Sequence, residues 1–199
     1  GLVVTAVIDP ITNQCLTGNS FSFNGGNSTI SAGAITTYSW DFGDGATATG
    51  SSPSYAYSTS GTYTVTLTVG DGTCSAQVTQ NVTVFDMPTV SASSTEELCF
   101  GDCDGSVTAV PAGTSGYTSE WFIFAGASIG TGNTISGLCP GMYQVVVTDV
   151  NGCTANNTAI VIGPSVALNA SATGTAVNCF GVCDGTLDGS ASGGTAGYT

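Results

Sequence analysis

The chain has no lysine, no arginine and no histidine, against thirteen Asp and Glu, so its 199 residues carry a formal charge of -13 at neutral pH. Nucleic acid is thereby excluded as a partner, because phosphate binding depends on Lys and Arg to release counterions. Anionic lipid headgroups are disfavoured on the same ground. Serine and cysteine hydrolases need a base beside the nucleophile, and without His or Lys the usual activators are missing. A redox-active thiolate would need a nearby cation or a helix start, and no cationic side chain exists. Charged residues make up 7% of the chain, against about 25% in ordinary domains, so surface polarity must come from Ser, Thr, Asn and Gly. No run approaches the roughly 18 apolar residues that span a membrane, which argues against direct membrane insertion. Gly1–Pro10 also lacks the basic start of a secretory leader, so the sequence reads as an interior segment of something longer.

What is present is β structure. Hydrophobic residues make up 41% of the chain, and Val, Ile, Phe, Tyr and Trp recur in short runs, so disorder through low hydrophobicity is not expected. Gly and β-branched residues interrupt every window that would make a helix. Strands are expected at Val3–Ile8, Ser20–Phe23, Thr37–Phe42, Thr62–Val69, Ala76–Phe85, Gly105–Val110, Glu120–Phe124, Met142–Asp149 and Thr158–Ile162, bounded by Gly, Asn or Asp turns. Short strands at this density imply an all-β chain of sandwiches. Eight cysteines without a zinc-like CxxC…CxxC pattern fit disulfides in an oxidising compartment, and the chain reads as exported.

An internal repeat marks the organisation. Cys99-Phe100-Gly101-Asp102-Cys103-Asp104-Gly105 returns eighty positions later as Cys179-Phe180-Gly181-Val182-Cys183-Asp184-Gly185, and Gly116-Tyr117-Thr118 is answered, after one inserted residue, by Gly197-Tyr198-Thr199. A period of 80 is a whole domain, too long for a solenoid unit. Met87-Pro88 and Gly163-Pro164-Ser165 separate the units. The expected domains are 1–86, 87–164 and a second copy of the latter begun at 165–199.

Two families are resembled. Tyr38-Ser39-Trp40-Asp41-Phe42-Gly43-Asp44-Gly45, followed by Pro53, Tyr55, Tyr57 and Gly61-Thr62-Tyr63-Thr64-Val65-Thr66-Leu67-Thr68-Val69, makes residues 1–86 resemble a PKD domain, which implies an immunoglobulin-like β-sandwich. Trp40 and Phe42, two apart on a strand, should face the core together, while Gly43 and Gly45 permit a tight turn around Asp44. Residues 87–164 and 165–199 resemble the SprB repeat of gliding-bacterium surface adhesins. That resemblance rests on the Cys-x-Gly-x-Cys-Asp-Gly start, then Leu138-Cys139-Pro140-Gly141-Met142-Tyr143, then Thr148-Asp149-Val150-Asn151-Gly152-Cys153. One departure is Ala112-Gly113-Thr114-Ser115-Gly116-Tyr117, where the family has Gly-Gly-Thr-x-Pro-Tyr. Together the resemblances imply a large repetitive surface protein of Bacteroidetes-type bacteria, exported by a type IX system.

The cysteines are expected to pair within modules. Cys15 and Cys74 flank strands that a disulfide would pin together, and four cysteines in the repeat allow three connectivities. The resemblance favours Cys99–Cys153 with Cys103–Cys139. Cys179 and Cys183 would then find partners beyond Thr199.

No catalytic residue is assigned. A glycosidase needs two carboxylates converging across a cleft, whereas the carboxylates here mostly occupy turns such as Asp71-Gly72 and Asp104-Gly105. Calcium takes clustered carboxylate and carbonyl oxygens from loops, and some PKD domains are similar in binding it. Asp41, Asp44 and Asp71 are the candidates, with Asp102, Asp104 and Asp149 behind them. The competing reading has Asp41 and Asp44 capping their own turn. Trp121, Phe122 and Phe124 suggest a sugar-stacking platform, against the simpler reading that one alternate set is core.

These features point first to a non-catalytic stalk within a giant adhesin at the bacterial cell surface. Its partners would be further repeats of the same polypeptide and an extracellular surface or polysaccharide, with bundling into fibres as a further expectation. An alternative makes the modules accessory domains of a secreted polysaccharide-degrading enzyme. A third reading has them bind a ligand directly, with calcium.

Overall fold

The structure, a computed structural model, describes residues 1–194 apart from Ala125 and Val182. The repeat comparison at Val182 and Gly197-Tyr198-Thr199 lies outside the described residues. Every helix or strand among the described residues is a strand, as the interrupted periodicity requires. The chain divides into two compact units. The first comprises Gly1–Pro88 with the turns Gly113–Ser115 and Asp149–Cys153, and the second holds the rest.

In the first unit the strands are β1 (Val4–Thr5), β2 (Gln14–Cys15), β3 (Phe21–Ser22), β4 (Thr29–Ile30), β5 (Thr37–Asp41), β6 (Thr47–Thr49), β7 (Ser54–Tyr55), β8 (Gly61–Gly70) and β9 (Ser75–Phe85). A five-stranded sheet runs β2-β9-β8-β5-β6, and β1-β4 and β3-β7 form short ladders. Alternation along β8 buries Val65, Leu67 and Val69, and β9 adds Val82 and Val84. Trp40 and Phe42 do face one side together, at 0% and 1% exposure. They pack with Phe21, Phe23 and Tyr57 into one core. Ring contacts run through it: Phe42 stacks on Tyr55 with centroids 4.2 Å apart, Tyr57 stacks on Tyr63 at 3.9 Å, and Phe23 meets Trp40 at 5.5 Å.

The second unit holds β10 (Thr89–Thr95), β11 (Gly105–Ala112), β12 (Thr118–Ile123), β13 (Ser128–Thr131), β14 (Thr134–Leu138), β15 (Gly141–Thr148), β16 (Thr154–Val161), β17 (Asn169–Gly174) and β18 (Leu187–Ser192). Two sheets, β10-β11-β14 and β13-β12-β15-β16, enclose Val107, Ala109, Trp121, Tyr143, Val145, Val147, Ala159 and Val161. β10 falls where the sequence reading places no strand. Its Ser and Thr content hides the pattern, since Val90 and Ala92 alone pack against the core.

The internal repeat extends to hydrogen bonds. Thr95 Oγ1 accepts from the Ser106 N–H at 3.0 Å, and Asp104 Oδ1 accepts from the Leu98 N–H at 2.9 Å. Eighty positions on, Thr175 Oγ1 accepts from the Thr186 N–H at 3.0 Å, and Asp184 Oδ1 from the Asn178 N–H at 3.0 Å. The Asn178 bonds, backbone and then side chain, hold the Asp184 carboxyl below its ordinary range. The ladder β17-β18 thus begins a second copy of the β10-β11 geometry.

Candidate functional site

The polar chemistry of this chain is concentrated in aspartate turns. Between β5 and β6, Asp41 Oδ1 accepts from the Gly43 N–H at 2.8 Å and Asp44 Oδ1 from the Ala46 N–H at 3.1 Å. The Tyr55 hydroxyl donates to Asp44 Oδ2 at 2.7 Å. That bond, helped by the Ala46 N–H, holds the Asp44 carboxyl below its ordinary range and raises the Tyr55 phenol. Gly43 sits at φ 84°, and a Cβ there would come within 2.7 Å of the Thr64 carbonyl oxygen, so the turn admits only glycine.

A second turn joins β8 to β9. Asp71 Oδ1 accepts from the N–H groups of Thr73 and Cys74, at 2.9 and 2.8 Å, which lowers its pKa, Cys74 contributing most. The turn between β15 and β16 repeats the device with one more residue. Asp149 Oδ1 accepts from Asn151 and Cys153 at 2.9 and 2.8 Å. In both turns the Asp N–H donates back to the cysteine carbonyl, at 3.2 Å in one and 2.9 Å in the other. Asp149 is buried, and its Oδ2 has no partner among the described residues.

The three calcium candidates are not brought together. Asp71 follows Gly70, which pairs with Thr37 at one end of β5, whereas Asp41 pairs with Thr66 at the other. Four strand steps separate those ends, about 14 Å. Each carboxylate already caps its own turn, and no group of three His, Cys, Asp or Glu able to hold a metal occurs among the described residues. The sugar platform loses Trp121. Trp121 is fully buried, while Ile123 and Phe124 are each 52% exposed. The β12-β13 register shifts between Trp121 and Phe122, so Ile123 does not follow Trp121 into the core.

The cysteine framework departs from expectation. Cys103 bonds to Cys139, but Cys15 bonds to Cys153, leaving Cys74, Cys99, Cys179 and Cys183 as thiols. Neither Cys15–Cys74 nor Cys99–Cys153 forms, for one geometric reason. Cys15 pairs with Phe85 at the end of β9, and Cys74 precedes Ser75 at its start, so roughly 33 Å of strand lies between them. Glu97 donates to the Ile162 carbonyl beyond the end of β16, whereas Cys153 precedes its start. The Cys15–Cys153 bond lies within the first unit, which takes in the turn Asp149–Cys153. Sequence reasoning missed this pair, although the common string of Asp, two or three turn residues and Cys after a long strand marked Cys74 and Cys153 as equivalent.

The family model for the PKD domain matches residues 5–85. The crystal structure of the PKD1 domain of Vibrio anguillarum Epp is 30% identical over 42% of this chain and 96% of that one, with a TM-score of 0.34. The chain belongs to the PKD-domain family. In this PKD domain the Trp40–Gly45 string is architectural, placing two rings in the core and a glycine where a side chain would collide. The 282-residue C-terminal fragment of intimin, solved with the intimin-binding domain of its translocated receptor, is 15% identical, covering 82% of this chain and 67% of that one at a TM-score of 0.51. That likeness shows an immunoglobulin-like fold extending beyond the PKD domain. No curated protein matches the chain. PKD domains and disulfides fit an extracellular protein, and no helix among the described residues is long and apolar enough to cross a membrane.

Proposed function

We propose that this chain is a non-catalytic stalk segment of a large exported adhesin, in which PKD and SprB-type sandwiches in series hold a binding region away from the cell. The observation that carries this reading is the recurrence of the Cys99–Gly105 block and its hydrogen bonds eighty residues later, which is how a chain grows by adding whole modules. Composition supports it. A chain without Lys or Arg offers trypsin no cleavage site, and uniform negative charge discourages collapse onto neighbours. Asp41, Asp44, Asp71 and Asp149 serve as turn caps rather than as a converging acid pair for hydrolysis. The resemblance of residues 87–199 to SprB repeats extends the proposal to gliding motility and type IX export.

The test is to attach beads coated with antibody against this chain to living source cells and follow them by microscopy. Beads that bind and travel along the cell support a motile adhesin, and beads that bind without moving remove the motility part. Antigen found only in the culture medium would overturn the stalk and favour an accessory module of a secreted polysaccharide-degrading enzyme.

A further inference from the structure

Two kinds of cysteine position recur in this chain. The first stands where a strand runs parallel to the last strand of a sandwich and reaches its end. Cys15 lies there on β2, opposite Phe85. β10 runs parallel to β16 in the same way: Val90 O accepts from Asn157 Nδ2, Ser94 Oγ donates to Ile160 O, and Glu97 N–H donates to Ile162 O. Cys99, two residues beyond Glu97, therefore corresponds to Cys15, and Cys179 repeats Cys99 eighty positions later. The second kind closes the hairpin entering that last strand, held by an aspartate Oδ1: Cys74 by Asp71 and Cys153 by Asp149. One cysteine of each kind is bonded, Cys15 to Cys153, at a sequence separation of 138. The hairpin cysteine Cys74 and the strand-end cysteines Cys99 and Cys179 are left as thiols.

We propose that Cys74 and Cys99 are each half of a disulfide to an adjoining module of the same polypeptide, formed on the Cys15–Cys153 pattern. In that pattern a strand-end cysteine bonds not the first hairpin cysteine after it in the chain, Cys74, but the second, Cys153. Cys74 then takes a strand-end cysteine of a preceding module, and Cys99 takes the hairpin cysteine of the copy begun at 165–199, about eighty positions after Cys153 by the repeat period. Neither thiol reaches the other kind of position in its own sandwich, since a full strand length separates them. Each bond forms when one thiolate attacks a disulfide oxidant, a protein or small-molecule disulfide of the export compartment. The second thiolate then displaces the oxidant's sulfur from the mixed disulfide. Two protons and two electrons leave the cysteine pair, and the oxidant departs reduced, as a dithiol or as two thiols. The inference rests on the stalk reading, because it needs modules on both sides.

The experiment takes the full-length polypeptide from its own cells, blocks thiols with N-ethylmaleimide without reductant, digests it with chymotrypsin and maps the peptides by mass spectrometry before and after reduction. Cys74 and Cys99 are expected to escape the label, each in a linked peptide whose other cysteine lies outside residues 1–199, with Cys15–Cys153 intact. Label on Cys74 or Cys99, linkage of either to a small thiol, or a Cys15–Cys74 pair overturns the proposal. A Cys74→Ser polypeptide should lose one linked pair and keep Cys15–Cys153; reshuffling of Cys15 in that variant also overturns it. A polypeptide with no modules flanking this chain defeats the stalk reading itself, whereas flanking modules beside labelled thiols defeat the disulfides alone.

Discussion

Trp40 and Trp121 hold the same place in their two sandwiches. Each is fully buried on a strand flanked by the long central strand on one side and a short strand on the other, β8 and β6 around Trp40, β15 and β13 around Trp121. Their surroundings differ. Trp40 lies in a net of rings and donates its indole N–H to the Gly50 carbonyl at 2.9 Å. Tyr57 likewise donates to the Phe42 carbonyl at 2.9 Å. Trp121 lies among Val107, Val145, Val147 and Ala159, and its Nε1 finds no hydrogen-bond partner among the described residues. The second sandwich instead carries the Cys103–Cys139 bond. One frame is thus stabilised in two ways, by satisfied aromatic packing in the PKD domain and by a crosslink beside a less aromatic core in the second sandwich.

The comparison breaks most visibly if Trp40 is removed. Trp40→Ala should cost about 3–5 kcal/mol, seen in urea unfolding of the PKD transition, while the transition of the second sandwich holds its midpoint. Next in size is the crosslink. Closing the loop between Cys103 and Cys139, a sequence separation of 36, should contribute about 4 kcal/mol in the chain-entropy account. Cys103→Ser with Cys139→Ser should therefore lower the second transition and leave the PKD one unchanged. Equal losses in both transitions would mean that the two sandwiches unfold as one.

A smaller and sharper test exchanges each tryptophan for phenylalanine. Trp40→Phe removes a made hydrogen bond, worth about 1 kcal/mol, whereas Trp121→Phe removes a buried donor that costs about 1–3 kcal/mol to leave unpaired. Trp40→Phe should destabilise its sandwich more than Trp121→Phe does. The reverse order would mean that the Trp121 N–H is satisfied in solution.

Much of this frame was legible in the sequence because period-two burial writes itself plainly where strands are long. Thr62–Val69 and Ala76–Phe85 are read within a residue or two of β8 and β9, and Trp40 with Phe42 as core. β10 was illegible because Ser and Thr fill a half-covered strand as readily as a linker. Cys103–Cys139 forms as expected, but the other two disulfides were misread for a different reason. Sequence shows that Cys15 and Cys74 border strands, but not which ends of those strands meet, and the parallel pairing of β2 with β9 puts them a strand apart. The aspartates were correctly placed in turns, yet loop carboxylates and the PKD resemblance suggested a cation where Asp41, Asp44 and Asp71 each serve their own backbone.

The smallest expected effect separates the two sandwiches by pH. Asp44 has its carboxyl lowered chiefly by the Tyr55 hydroxyl, so this bond adds stability above the unfolded carboxyl pKa, about 3.9, and loses it as pH falls through the lower folded value. Tyr55→Phe should move the Asp44 carboxyl upward toward its ordinary value in a carbon-detected NMR titration and flatten the acid limb of the PKD melting curve. The gain is modest, because both groups stand in solvent and screening weakens the pair. In the second sandwich Tyr143 donates to the Cys139 carbonyl at 2.8 Å, an acceptor that does not titrate, and burial alone raises its phenol. Tyr143→Phe should accordingly leave the acid limb of its own transition where it was. An acid shift there, or none at Asp44, would show that the two tyrosines do not divide the work between a charged turn and a neutral carbonyl.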